Sequence, residues 1–255
     1  MGILNVTPDS FSDGGSYDEA SKALFQAEKM VKEGAHILDI GGESTRPGYQ
    51  KISCQEEIER VCPVIEQIVE KIEIPLSIDT YKAPVAKAAL EAGAHMVNDI
   101  WGLKGDESMA EVAANHKAAV CLMHNRKEPE YKNFTEELKE DLRKSIDLAL
   151  EAGIEKDQIL LDPGVGFAKS YEENLQAMAH MEELLDLGYP YLLGCSRKSV
   201  IGLTLDLPVD QREEGTIATS VLAVTKGAMF VRVHQVEKNV RAIQMTEAIL
   251  AARRK

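Results

Sequence analysis

The sequence predicts an α/β fold, a (β/α)8 TIM barrel that forms one domain over residues 1–255, on three observations. The chain has 255 residues, close to the roughly 250 residues typical of this barrel. Eight short apolar segments alternate with eight longer amphipathic segments, as in parallel strands joined by crossover helices. Several helical segments end in glycine, as at Gly34, Gly93 and Gly227, where a left-handed residue ends a helix. A doubly wound open sheet is the alternative architecture.

The apolar segments have strand length and the amphipathic segments have helix length. The predicted strands are 2–5, 37–40, 76–79, 96–98, 119–123, 159–162, 191–193 and 230–233. The predicted helices are 17–33, 55–71, 82–92, 107–117, 135–152, 171–187, 212–226 and 236–253. Because the first strand starts at once, we expect the natural chain to begin some residues before Met1.

The charge balance excludes some classes of partner. Lys and Arg total 29 against 42 Asp and Glu, a formal net charge of −13, which argues against nucleic acid and membrane surfaces as partners. No apolar run reaches the roughly 18 residues of a spanning helix. The four cysteines form no CxxC pair, so we expect reduced thiols in a cytoplasmic protein. A local anion pocket remains compatible with this composition.

Polar residues stand where nearly every predicted strand ends. In a barrel these positions share the C-terminal rim, where active sites lie. A single such residue is more often a turn or cap residue, but so many on one rim indicate a site. The strand-end residues are Asn5, Asp79, Asn98, Asp99, His124, Asn125, Asp162, Ser196, Lys198, Arg232 and His234.

Two long loops and a few basic residues join this rim. The segments after the first two strands are rich in Gly, Pro and Ser and longer than usual βα connections, which is typical of substrate loops. Arg46, Lys198, Arg232 and His234 lie in rim segments, and barrels often bind phosphate after strands seven and eight. We therefore predict an anion site there.

The carboxylates of Asp79 and Asp162, with the amide of Asn98, predict a second function for the rim. An amino-pteridine or guanine-like ring presents adjacent N–H donors and requires such acceptors. A metal centre built from a His and Asp cluster is disfavoured, because no HxH, HExxH or Cys/His spacing occurs. The role of His124 stays open.

Seven segments together resemble the dihydropteroate synthase family, the folate-pathway enzymes that sulfonamides target. They occur in the family's order over nearly the whole chain, and the first two are long and specific. The segments are GILNVTPDSFSDGG (2–15), DIGGESTRPG (39–48), SIDT (77–80), VNDI (97–100), LDPGVGF (161–167), SRKS (196–199) and VRVH (231–234).

The resemblance implies a homodimeric barrel that joins 6-hydroxymethyl-7,8-dihydropterin diphosphate to 4-aminobenzoate and releases diphosphate, with Mg²⁺. By resemblance the pterin ring is held by Asp79, Asn98, Asp162 and Lys198 and contacted by Met123 and Phe167. The diphosphate is bound by Asn5, Arg46, Arg232 and His234, with Asn5 also near Mg²⁺. The aminobenzoate pocket is bordered by Phe11, Thr45, Pro47 and Ser199.

The implied reaction is a substitution at the pterin methylene carbon. Arg46, Arg232, His234 and Mg²⁺ stabilise the charge that develops on the leaving diphosphate. The pterin ring can stabilise positive charge at the methylene, so a dissociative path is expected. Asp9 or Asp13 then faces that cation, and Asp13 is favoured.

Three other functions compete with this interpretation. A methyltetrahydrofolate-to-corrinoid methyltransferase shares the pterin-binding acceptors but needs no diphosphate site, so the basic rim residues and long loops disfavour it. A non-catalytic paralogue that binds pterin without turnover is not distinguished by sequence. A phosphate-binding aldolase needs a Schiff-base lysine inside a strand, whereas Lys198 follows its strand.

Overall fold

A computed structural model describes residues 1–7, 16–43 and 51–252, and eight parallel strands lie within these ranges. From β2 onwards each strand has a helix before it and a helix after it in the chain, as the sequence pattern predicts. The strands are β1 Gly2–Asn5, β2 Leu38–Gly41, β3 Leu76–Asp79, β4 Met96–Asp99, β5 Ala119–Met123, β6 Ile159–Asp162, β7 Leu192–Leu193 and β8 Phe230–Val231.

The strands close into a barrel. β1 to β6 pair in sequence order as one parallel sheet, and β7 pairs with β8 as a second. Single parallel bridges join the two sheets on both sides, from Leu161 to Tyr191 and from Gly2 to Val233. The predicted (β/α)8 barrel is therefore confirmed, and its eighth strand meets its first.

Nine α-helices lie within the described residues, one more than the sequence predicted. The additional helix, α7, begins at Ser199, in a segment that the sequence analysis treated only as a rim loop. The predicted helix 171–187 consists of an α-helix followed by a 3-10 helix, Met181–Leu187. The α-helices are α1 Ser16–Lys32, α2 Cys54–Lys71, α3 Ala83–Glu91, α4 Met109–Asn115, α5 Phe134–Glu151, α6 Tyr171–Ala179, α7 Ser199–Leu205, α8 Glu213–Thr225 and α9 Val236–Ala252. No helix of the described chain is both long and apolar enough to span a membrane.

Successive side chains of each strand point to opposite faces, which produces two separate apolar cores. One face packs on the helices, as Leu38, Ile40, Leu76 and Ile78 do in the large apolar cluster. The other face points into the barrel. At the N-terminal end this interior is apolar and contains Met1, Met96, Cys121, Leu160 and Leu192. Towards the C-terminal end the inward residues are polar, so the barrel is a packed core at one end and a polar pocket at the other.

A buried ion cluster joins β2, α2 and α3 beside this pocket. Lys82 Nζ donates to Glu43 Oε2 at 2.8 Å, to Glu57 Oε2 at 2.7 Å and to the carbonyl of Ile52 at 2.9 Å. Glu43 also accepts from the Tyr81 hydroxyl and the Ile52 amide. Burial raises the pKa of Glu57, while bonds from the two carboxylates hold the pKa of Lys82 above its ordinary value despite burial.

Replacing Lys82 with methionine is expected to destabilise the fold by about 3 kcal/mol, because two buried carboxylates then lose their cation. Chemical denaturation at neutral pH measures this change. Lys87→Met on the same helix is the matched control, since Lys87 forms an exposed ion pair with Glu91 and such pairs contribute less than about 1 kcal/mol. Equal losses of stability in the two variants would contradict the proposed role of Lys82 in the buried ion cluster.

Candidate active site

The polar pocket is built from inward-facing residues on and just after the strands, most of them at the strands' C-terminal ends. Residues two apart on a strand share a face, so Asp39 and Gly41 of β2 and Ser77 and Asp79 of β3 all point inward. Asn98 on β4 lies opposite Asp79 in the register. The sequence predicted this convergence for Asp79, Asn98, Met123, Asp162 and Arg232, and the structure brings all five to the barrel mouth.

Arg232 is tied to two carboxylates across the barrel. Its Nε donates to Asp39 Oδ2 and its Nη2 to Asp79 Oδ2, both at 2.5 Å. Asn98 Nδ2 donates to the same Asp39 oxygen at 3.0 Å. Burial alone lowers the pKa of Arg232, but the charges of Asp39 and Asp79 hold it above its ordinary value. The guanidinium is thus a fixed cation inside the pocket.

Several acceptors in the pocket have no donor. Within the described chain no hydrogen-bond donor reaches Oδ1 of Asp39 or Oδ1 of Asp79, and both atoms are buried. Burial raises the pKa of Asp79 to about 7, and burial also raises the pKa of Asp162. Three carboxylates therefore face two cations, Arg232 and Lys198, and the pocket is short of donors. A ligand with several adjacent N–H groups would supply them.

Lys198 enters the pocket from the start of α7. Its Nζ donates to the carbonyl of Val165 and lies 4.9 Å from the centre of the Phe167 ring. Burial lowers the pKa of Lys198, and the nearest opposing charge is that of Asp162. Lys198 and Phe167, each predicted to contact the pterin, are therefore in contact with each other, with the cation against the aromatic face.

Asp162 and Met123 form the far wall of the pocket, opposite each other in the register of β5 and β6. Asp162 Oδ1 accepts from the Gly164 amide at 2.7 Å. At Gly194 a Cβ would lie 3.6 Å from Asp162 Oδ2 and 3.9 Å from the Arg232 Cβ. A side chain at this position would therefore contact both residues, whereas glycine occupies none of that space.

His234 and Asn5, predicted for the anion, and Ser199, predicted for the aminobenzoate, lie at the outer rim. His234 Nδ1 lies 2.9 Å from Ser196 Oγ, and the His234 amide donates to the same oxygen at 3.2 Å. Ser199 is exposed at the first position of α7. The Asn5 side-chain oxygen lies 3.8 Å from the position a Cβ on Gly41 would take, above Asp79. Phe11, Asp13, Thr45, Arg46 and Pro47, with the alternative Asp9, lie outside the described residues.

Two residues of this region were missed or left open by the sequence analysis. Asp39 stands in the middle of β2, not at its end, so a search of strand ends passes over it; its inward alternation with Gly41 was the available signal. His124 is fully buried between Lys169 and Asp141 rather than facing the pocket. Burial lowers the pKa of His124 to about 4, so the imidazole is neutral.

The described part of the chain contains no group of three or more His, Cys, Asp or Glu side chains that could hold a metal ion. The carboxylates of the pocket pair with Arg232 or accept from backbone amides. A divalent cation here would therefore depend on isolated oxygen ligands such as Asn5 and on oxygens that a ligand brings.

Fold and pocket together define a barrel enzyme whose mouth suits a flat, donor-rich heterocycle beside an anion. The pterin-binding enzyme family matches residues 1–234, and the chain belongs to that family. Within it, the dihydropteroate synthase of Clostridium beijerinckii is 55% identical over 251 residues, which cover 98% of this chain and 93% of that protein. The resemblance seen in the sequence is confirmed.

Solved structures of dihydropteroate synthases have the same fold as this chain. The dihydropteroate synthase of Clostridium difficile, solved in the presence of pteroic acid, is 51% identical, with a TM-score of 0.95 over 98% of this chain and 95% of that one. The Xanthomonas albilineans enzyme with 4-aminobenzoic acid is 43% identical, with a TM-score of 0.94 over 98% and 92% of the two chains. Both likenesses extend over the whole barrel.

Proposed function

We propose that this chain is a dihydropteroate synthase, a transferase that joins 6-hydroxymethyl-7,8-dihydropterin diphosphate to 4-aminobenzoate. The observation that carries the proposal is the donor-poor pocket of Asp79, Asn98 and Asp162 beside the Lys198 ammonium. Those acceptors match the N–H edge of a pterin. Relatives over almost the full length carry the name of this activity.

In the proposed reaction the bond from the methylene carbon to the diphosphate oxygen breaks and a carbon–nitrogen bond forms to the amine. The amine then loses one proton. Asp79, Asn98 and Asp162 fix the ring, and Lys198 binds its remaining polar edge from the Phe167 side. Arg232, His234 and Arg46 bind diphosphate. The amine is already nucleophilic, so positioning contributes more than deprotonation.

Mg²⁺ is the proposed metal, with the Asn5 amide oxygen as its described protein ligand. Mg²⁺ commonly keeps several waters and takes one or two protein oxygens together with substrate phosphate oxygens, so one amide and a diphosphate make a suitable set. When bound, the ion neutralises charge that develops on the leaving group.

A homodimer is also proposed. α7 and the segment after it expose Leu203, Leu205 and Val209 by 68%, 45% and 49%, and exposed apolar groups of this kind favour a second protein surface. Sedimentation of the wild type and of Leu203→Asp tests this assembly.

The four free cysteines support a cytoplasmic location for the protein. We also propose that residues 1–255 form one domain.

A coupled assay of diphosphate release tests the activity. The reaction contains the pterin diphosphate and Mg²⁺, with and without 4-aminobenzoate. We expect release that depends on 4-aminobenzoate, with dihydropteroate as the product. Pterin binding by calorimetry without any release would instead favour the methyltransferase or a non-catalytic paralogue.

Pterin binding is expected to release protons near pH 6.5. Burial raises the pKa of Asp79 to about 7, so this carboxyl is partly protonated near pH 6.5, and N–H donors from the ring favour its ionised form. Calorimetry in buffers of different ionisation enthalpy measures the release, which should approach zero at pH 9. Asp79→Asn should remove most of it. Unchanged release in that variant would assign the proton to another group.

A further inference from the structure

The turn between β6 and α6 forms one side of the pterin pocket and has an unusual backbone. Gly164, Gly166 and Ala168 all have positive φ angles, of 68°, 87° and 45°. Ala168 is not a glycine, and its Cβ makes a left-handed conformation sterically unfavourable. Contacts around the turn must therefore hold it in this shape.

Lys169 binds this turn from within. Its Nζ donates to the carbonyls of Gly164 and Phe167, each at 3.0 Å, and lies 2.9 Å from Nδ1 of His124. Its three partners are neutral acceptors, so its contribution is geometric, and burial lowers the pKa of Lys169 to about 7.

His124 gives this lysine a fixed support. The imidazole is fully buried, and its Nε2 lies 3.3 Å from Asp141 Oδ2, which also accepts from Arg126. Because Asp141 faces Nε2, the proton of the neutral ring belongs there, and Nδ1 accepts from Lys169. The ammonium is thereby anchored to α5 through two side chains.

Lys198 binds the same turn from the pocket side. Its ammonium donates to the carbonyl of Val165, between the two carbonyls that Lys169 holds, and lies over the Phe167 ring. A Cβ on Gly166 would lie 3.0 Å from Lys198 Cδ, so the backbone of the turn also contacts the lysine stem. The turn thus connects Lys169 on its inner side to Lys198 on its pocket side.

We infer that Lys169 is a positioning residue for the transfer reaction. It fixes the turn 163–168 so that the Val165 carbonyl and the Phe167 ring hold the Lys198 ammonium at the pterin pocket. The inference rests on the proposed function, because Lys198 is assigned there to the pterin.

A double-mutant cycle on pterin binding tests the inference. Calorimetry with 6-hydroxymethyl-7,8-dihydropterin diphosphate, without 4-aminobenzoate, gives Kd for the wild type, Lys169→Met, Lys198→Ala and the double variant. We expect Lys169→Met to raise Kd about tenfold in the wild type and less than twofold in Lys198→Ala, because effects passed through one group are not additive. Equal effects in both backgrounds would overturn the inference.

Steady-state kinetics provide a second readout. Lys169→Met should raise KM for the pterin diphosphate about tenfold and leave KM for 4-aminobenzoate within twofold. Lys226→Met is the matched control, since Lys226 Nζ donates to the Ala179 carbonyl at 2.7 Å at the opposite end of the barrel. It should leave both KM values unchanged. A pterin KM that rises in the control as much as in Lys169→Met would indicate a general loss of stability.

Tyr131→Phe covers the case in which Lys169→Met does not fold. The Tyr131 hydroxyl donates to the Ala168 carbonyl at 2.8 Å, so its loss loosens the same turn from outside. We expect a folded protein with pterin Kd raised two- to fivefold, and an unchanged Kd would contradict the inference. A wild type that does not bind the pterin diphosphate at all would instead refute the proposed function.

Discussion

Lys198→Ala is expected to lower kcat/KM by about 10²–10³-fold, as removal of one well-placed charged donor does in other active sites. The free energy of unfolding should change by less than about 1 kcal/mol, within the range of most substitutions away from apolar packing. Burial lowers the pKa of Lys198, which means that holding the ammonium in the folded state is unfavourable. Replacing Lys198 therefore removes this unfavourable contribution to the free energy of folding together with the favourable contacts to Val165 and Phe167.

Steady-state kinetics and chemical denaturation of one preparation measure both quantities. Lys198→Met is the matched variant, because it keeps the stem against Gly166 and removes only the charge. Both variants should lose activity to a similar extent. A loss of folding in proportion to the loss of activity would place Lys198 among the structural residues instead.

Arg232→Met should abolish measurable turnover and also destabilise the protein by about 3–5 kcal/mol at pH 8, since it leaves two buried carboxylates without their cation. Asp39 and Asp79 both depend on this guanidinium. Arg232 thus differs from Lys198: one cation supports fold and function together, the other mainly function. Denaturation curves and the diphosphate assay distinguish the two behaviours.

The destabilisation by Arg232→Met should depend on pH. A carboxyl whose pKa is raised on folding favours the folded state below that pKa and loses this advantage as pH rises through it. The difference between variant and wild type should therefore shrink from pH 8 to pH 5.5. Adding Asp39→Asn should recover part of the stability but no activity. Arg241→Met, which removes an exposed pair with Glu237, is the control with no expected effect.

The order of the barrel strands could be predicted from sequence because each strand is a short apolar run bounded by polar residues. Strand starts and ends agree within one or two residues, including β3, β5 and β6 without any difference. The helix α7 was missed because SRKS carries chemistry-bearing residues and hides the apolar turn Val200–Ile201 that follows. The polar residues that indicate a site and the residues that begin helix α7 overlap at Ser199.

The positions of the residues proposed to bind the pterin could also be predicted, because parallel strands bring their C-terminal ends to one rim. The partners of those residues could not. Arg232 was predicted as a diphosphate residue, but its direct contacts are Asp39 and Asp79, and that role for it remains a prediction. Pairing across the barrel depends on side-chain direction, which strand spacing does not specify. The same holds for Lys169, which follows a turn rather than a strand.

The unpartnered oxygens of Asp39 and Asp79 affect which ring compounds the pocket can bind. An analogue that lacks one ring N–H leaves a buried carboxylate oxygen without a hydrogen bond. Each unsatisfied acceptor of this kind weakens the binding free energy by about 1–3 kcal/mol. Rejection by several unmet acceptors reaches roughly 10⁴-fold, far beyond what loss of a methylene in an apolar pocket achieves. We therefore expect the pocket to discriminate chiefly against rings that have too few N–H donors for these two oxygens.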